Sequence, residues 1–228
     1  ERIIAGMWDN LGRVAAEFPH LSEIDVYSGD GRVVVEGGEY VDHLRDDGEA
    51  GIFYSAHIGN WEILALGATQ RGLPLDRVYR EANNRLVEWL YRNGRAAVEG
   101  ALIPKGPQGV RQLINAFRSG SHLAMLVDQK MNDGVAVPFF GRPAMTAPAL
   151  AELAMRYDCP VVGVWVTRRK GAYFNLHILP PIRFEKTGDH QADVLAAMTL
   201  INEQVEQWVR DTPEQWLWLH NRWPNGGE

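Results

Sequence analysis

His57 and Glu62 stand five positions apart in the run His57-Ile58-Gly59-Asn60-Trp61-Glu62. An imidazole can take a proton from a hydroxyl near neutral pH, and a carboxylate on its other ring nitrogen fixes the tautomer that does so. The spacing alone is weak evidence: with 7 His and 29 acidic residues, chance supplies about one such pair, and His20–Asp25 is another. Context separates the two. His20 follows Pro19, with no strand ahead of it. His57 follows an apolar, strand-like segment from Gly51 to Ala56, and Asn60 opens the helix behind it. Ligands of α/β sheets bind just beyond the carboxyl ends of strands. On one continuous helix two residues at this spacing would point about 140° apart. With His57 before the helix and Glu62 in its first turn, the chain can fold back at Gly59. No serine or cysteine motif accompanies the pair, so the hydroxyl to be activated belongs to a substrate. An ordinary buried His–Glu hydrogen bond is the competing reading.

The elements that must position these residues alternate between strand and helix. Ile4 to Phe18 carries apolar residues at three- and four-residue spacing and stops at Pro19. Strand patterns follow at Arg32–Glu36, Gly51–Ala56, Arg77–Arg80, Ala101–Pro104, His122–Val127, Val161–Thr167 and Tyr173–Leu179. Helical patterns lie between and after them: a short polar one from Gly38, then Asn60–Arg71, Asn84–Val98, Pro107–Arg118, Pro148–Tyr157 and Ala192–Arg210. Asn132–Thr146, with Gly134, Pro138, Gly141 and Pro143, reads as loop-rich. Strands separated by helices of this length indicate an α/β fold with a central sheet flanked by helices. No linker divides the 228 residues, which form a single domain.

Composition excludes other classes. The chain is 46% hydrophobic and 23% charged, ordinary for a globular protein. Its one cysteine, Cys159, cannot form an internal bridge and reads as a small core residue. The longest strongly apolar run, Val161–Val166, falls far short of the ~20 residues of a spanning helix. No phosphate-binding glycine loop, zinc-protease motif or serine nucleophile elbow is present, and neither a metal nor a prosthetic cofactor is implied. The net charge of −6 argues against nucleic acid as a partner. That charge is uneven: −9 over residues 1–76, +5 over 77–130 and −2 over 131–228. A basic middle in an acidic chain suits a local anionic ligand. Arg168-Arg169-Lys170 reads as a solvated turn, and Trp208 as a core residue on its helix.

The block Tyr54-Ser55-Ala56-His57-Ile58-Gly59-Asn60-Trp61-Glu62 resembles the signature of the bacterial lipid A biosynthesis acyltransferases, the lauroyl and myristoyl enzymes of Gram-negative bacteria. These belong to the wider lysophospholipid and glycerolipid acyltransferase superfamily. Further blocks are similar and in the same order: Tyr79-Arg80 with Asn83-Asn84 and Gly94-Arg95; Asp128-Gln129 with Phe139-Phe140-Gly141; and Pro213-Glu214-Gln215-Trp216-Leu217-Trp218-Leu219-His220.

The resemblance implies a glycerolipid-acyltransferase-like α/β fold with a mixed central sheet. It implies His57 as general base, Glu62 as its orienting partner, and direct attack of an acceptor hydroxyl on the thioester of an acyl carrier. Arg95 and Asp128 would position substrate or stabilise charge. Asn60, Arg80, Asn84, Arg92 and Gln129 join them as expected substrate contacts, and the arginines suit the phosphates of a lipid A precursor. The partners implied are acyl-carrier protein or acyl-CoA, a phosphorylated glycolipid and the cytoplasmic face of the inner membrane. An N-terminal hydrophobic anchor upstream of Glu1 is expected from the family's usual plan. Two alternatives keep the fold: acylation of another glycolipid or lysophospholipid, such as a phosphatidylinositol mannoside, from acyl-CoA; and a non-catalytic lipid-binding module.

Overall fold

The computed structural model describes residues 1–29, 31–79, 84–104 and 107–223, except for the side chains of residues 86, 87, 90, 92, 107 and 108. Strand β2 (Ile52–Ser55) is buried along its whole length, as a strand covered by helices on both faces must be. It lies in the middle of a seven-stranded sheet. On one side come β8 (Val161–Lys170), β9 (Tyr173–Ile178) and the edge strand β1 (Val33–Glu36); on the other come β5 (His122–Leu126), β3 (Leu75–Tyr79) and the edge strand β4 (Leu102–Pro104). All neighbours run parallel except β8 and β9, which form an antiparallel hairpin. The sheet is therefore mixed, as the sequence implies.

Because strand side chains alternate between faces, the sheet has two apolar layers. Ile52 and Tyr54 join one layer with residues of α6 (Ala149–Tyr157) and α7 (His190–Asp211); Phe53 joins the other with residues of α2 (Gly38–Asp46) and α3 (Glu62–Gln70). Trp208 of α7 is a core residue, stacked on Tyr54 at 5.7 Å and on Trp165 at 4.8 Å. Cys159 is buried in the same layer, and burial pushes its thiol up to about 11. Helix α1 (Arg2–Glu17) buries Met7, Asn10 and Val14 on one stripe. Helices α4 (Arg85–Gly94) and α5 (Pro107–Arg118) flank β4 in the chain.

The segment read as loop-rich is a hairpin of β6 (Lys130–Phe139) and β7 (Arg142–Thr146). Its two-residue turn places both Phe140 (φ 52°) and Gly141 (φ 69°) in the left-handed region. That geometry matches the twist of paired strands. Pro138 and Pro143 face each other in register in this two-stranded sheet, where no third strand needs their missing N–H groups. The prolines and glycines that look like loop punctuation are thus edge and turn residues.

Candidate functional site

The site forms where β2 and β5 end side by side. Their register pairs Ser55 with Leu126, and two residues further on, His57 and Asp128 come level. The His57 backbone N–H donates to Asp128 Oδ2 (2.9 Å), and its Nδ1–H donates to Asp128 Oδ1 (2.8 Å). Trp216 Nε1–H gives Oδ2 a third donor at 2.8 Å. Asp128 is 3% exposed. Burial opposes its ionisation, but the His57 ring and these three donors outweigh burial and hold the carboxyl at about 2. A carboxylate accepts only, so Nδ1 carries the ring proton and the lone pair lies on Nε2. That nitrogen meets the Gln129 side-chain amide at 3.2 Å, and the same amide nitrogen is 2.7 Å from His220 Nε2.

Glu62 does not make the contact with His57 that the sequence suggests. The chain does turn at Gly59, but α3 then carries the Glu62 carboxylate to Arg95, whose Nε and Nη2 donate to it at 3.0 and 2.6 Å. The Glu62 side chain is 8% exposed and that of Arg95 20%. Burial works against the Arg95 charge, yet the Glu62 contacts raise its pKa above the ordinary value. Asp128, 71 residues along the chain, takes the place at Nδ1 expected of Glu62.

Asn60 is fully buried and faces protein partners on both sides of its amide. Its Nδ2 donates to Glu17 (2.9 Å), and its Oδ1 accepts the Glu62 N–H (3.3 Å) at the start of α3. Asn84 is exposed. Arg80 and the Arg92 side chain lie outside the described residues.

Residues not singled out in the sequence hold the loop. Asn10 Nδ2 of α1 donates to Gly59 O (2.9 Å) and Gln215 O (3.1 Å). Arg168 is not a solvated turn residue: its side chain is 8% exposed, paired with Glu17 and bonded through Nε to Asn10 Oδ1. The C-terminal block closes over the loop as a short antiparallel bridge between Ile58 and Trp216, with Gly59 N–H to Gln215 O and Leu217 N–H to His57 O. A polar Asn10 on the buried stripe of an amphipathic helix was the signal available for this role.

His57 therefore presents one oriented nitrogen, 14% exposed as a side chain, at the carboxyl end of a parallel sheet. Such a base suits proton transfer from a bound hydroxyl. Among the described residues, no group of three or more His, Cys, Asp or Glu is placed to hold a metal ion, and no helix is long and apolar enough to cross a membrane.

A family model, Bacterial lipid A biosynthesis acyltransferase, matches residues 1–225. The chain belongs to that family. Among its relatives, the lipid A biosynthesis palmitoleoyltransferase and lauroyltransferase of Escherichia coli K12 are 27% and 29% identical over 165 residues, 70% of this chain and 52% of each relative. A lipid A biosynthesis acyltransferase of Haemophilus influenzae is 24% identical over 197 residues, 80% of this chain and 56% of that protein. The chain thus spans about half the length of the curated relatives it matches. A crystal structure of the 1-acyl-sn-glycerophosphate acyltransferase of Thermotoga maritima superposes with a TM-score of 0.48 at 16% identity, covering 88% of this chain and 80% of that one. His57, Asp128, Gln129 and His220 meet at the strand ends, and Arg95 is held by Glu62.

Proposed function

We propose that the chain transfers a fatty acyl group from an acyl-carrier-protein thioester to a hydroxyl of a phosphorylated lipid A precursor. The observation that carries this reading is the His57–Asp128 contact, which leaves Nε2 as the basic nitrogen. The acceptor hydroxyl takes the place of the Gln129 amide at Nε2 and gives up its proton there as its oxygen attacks the thioester carbonyl. The imidazolium so formed is stabilised by Asp128, which keeps its negative charge throughout. Collapse of the tetrahedral adduct expels the thiolate, and His57 returns the proton to it. No acyl-enzyme forms. Glu62 and Arg95 act as a fixed pair that anchors the start of α3 beside the base.

Association with the cytoplasmic face of the inner membrane is part of this proposal, supported by family membership and by the exposed Ile3, Ile4 and Trp8 of α1. The deciding experiment is mass spectrometry of the lipid formed from a defined acyl-carrier-protein thioester and a purified precursor. A mass increase of one acyl group, absent with His57→Ala, supports the reading. Transfer from acyl-CoA alone removes the donor assignment, and no transfer to any glycolipid removes the reading.

A further inference from the structure

Gln129, in the link from β5 to β6, stands between two imidazoles. Its side-chain amide nitrogen is 3.2 Å from His57 Nε2 and 2.7 Å from His220 Nε2, and the two ring centroids lie 5.7 Å apart. An amide nitrogen only donates, so its two hydrogens meet one ring lone pair each. When a substrate hydroxyl takes the lone pair of His57, one of these hydrogens loses its acceptor while the other stays on His220. Neighbouring donors are already committed within the protein: the N–H groups of His57, Ile58 and Gly59 to Asp128, Ala56 O and Gln215 O, the Trp216 indole to Asp128, and Asn60 Nδ2 to Glu17. Arg95, expected from the sequence to position substrate or stabilise charge, gives Nε and Nη2 to Glu62.

We propose that Gln129 is a catalytic residue: the amide hydrogen released from His57 Nε2 is donated to the oxyanion of the tetrahedral adduct, and His220 is the positioning residue that keeps the amide in place. The inference rests on the acyl-transfer reading above. As the acceptor oxygen bonds to the thioester carbon, its proton passes to His57 Nε2 and the carbonyl π pair moves onto oxygen. That oxygen shares a carbon with the attacking atom, so the negative charge develops in the space that the amide nitrogen borders. On collapse the pair returns, the C–S bond breaks and the thiolate takes the proton from His57. A donor in place before the charge appears needs no reorganisation at that moment. The competing role is a cap that only covers the base in the free enzyme. It predicts the opposite kinetics, because removing a cap frees Nε2 and leaves kcat native or higher.

Gln129 is half-buried and His220 exposed, so variants at both should fold. In the transfer assay, Gln129→Leu keeps the bulk of the side chain but cannot donate, and kcat should fall by about 10²–10³-fold with both KM values unchanged. A native or higher kcat, or a change confined to KM, overturns the inference. His220→Phe should lower kcat by about tenfold or more, and His220→Gln, whose carbonyl can accept from the amide, should recover most of that loss. Since His220 acts through Gln129, the double variant Gln129→Leu with His220→Phe should be no slower than Gln129→Leu alone; multiplied losses overturn the positioning role. Calorimetric titration with octylphosphonate, a tetrahedral anion on an alkyl chain, tests the donor without catalysis. The native chain should bind it saturably and Gln129→Leu at least about tenfold more weakly, as expected for a mimic of the adduct. No binding by the native chain, or undiminished binding by Gln129→Leu, overturns the inference. If octylphosphonate binding depends on Gln129 while no acyl transfer occurs with any lipid, the donor site stands and the acyl-transfer reading falls.

Discussion

Asp128 Oδ1 lies 2.8 Å from His57 Nδ1, while Glu62, five positions after His57, is engaged by Arg95 at 2.6 Å. The two carboxylates therefore have separable tasks. Asp128→Asn keeps the shape but offers an amide that can hold the wrong histidine tautomer. A drop in kcat of about 10⁴-fold is expected, with the KM values close to native. Steady-state kinetics with both substrates checks it. A kcat within tenfold of native would show that Asp128 does not orient the base.

The same carboxyl makes stability depend on acidity. Its folded pKa, about 2, lies below the ordinary 3.8. A depressed folded value means the contribution is complete above about pH 4 and lost as pH falls toward 2. Across that interval, at 1.36 kcal/mol per pH unit, it comes to about 2 kcal/mol. Urea unfolding of the native chain and of Asp128→Asn, run between pH 6 and pH 2, should show a stability gap that closes over this window. A gap that stays constant would contradict the assignment.

For the Glu62–Arg95 pair, removing one partner leaves a largely buried charge unmatched. Arg95→Met and Glu62→Gln should each lower stability by about 3 kcal/mol. The double variant Glu62→Gln with Arg95→Met should be less destabilised than the sum of its parts. Denaturant midpoints of all four chains measure this. If either single variant is as stable as native but inactive, the pair acts in the chemistry rather than in anchoring α3.

How much of this was readable in the sequence depends on what each residue needed. His57 and Asp128 each end an apolar strand, so their places were legible. Their pairing was not, because it depends on the Ser55–Leu126 register between strands distant in the chain. Glu62 looked like the partner of His57 because it is near in sequence, but the first turn of α3 aims it at Arg95. Arg168 looked like a surface charge because its partners, Glu17 and Asn10, lie in α1, more than 150 positions away. The β6–β7 hairpin was hidden by prolines that an isolated two-stranded sheet accommodates.

Trp216 is a test of the C-terminal block. Its indole is 1% exposed, stands edge-on to Phe139 at 5.8 Å, and bonds Asp128. Trp216→Phe retains much of the packing and removes the N–H. Hydrogen bonds to charged groups contribute about 1.5–3 kcal/mol, so a loss of about 2 kcal/mol is expected, with a fall in kcat as the carboxylate loses one of its three donors. Thermal unfolding and the transfer assay together check this. Native stability in Trp216→Phe would remove the indole from the site.

Gly59 makes the turn between base and helix possible, and it gives the clearest backbone prediction. Its φ is +58°, and a Cβ there would fall 2.0 Å from Val166 O on β8. Backbone must move to admit a methyl group, because the obstacle is a carbonyl in a central strand rather than a flexible side chain. The displaced loop would lose Gly59 N–H to Gln215 O and the Asn10 contact to Gly59 O, and His57 would leave its place level with Asp128. Gly59→Ala should therefore cost about 2 kcal/mol or more, the left-handed strain adding to the clash, and should lower kcat even under conditions where the chain remains folded. Gly12, exposed on α1 with nothing within 4 Å of a Cβ, provides the control: Gly12→Ala should leave kcat unchanged and raise stability slightly. Equal behaviour of the two variants would mean that the close approach of Gly59 to β8 does not hold the base in position.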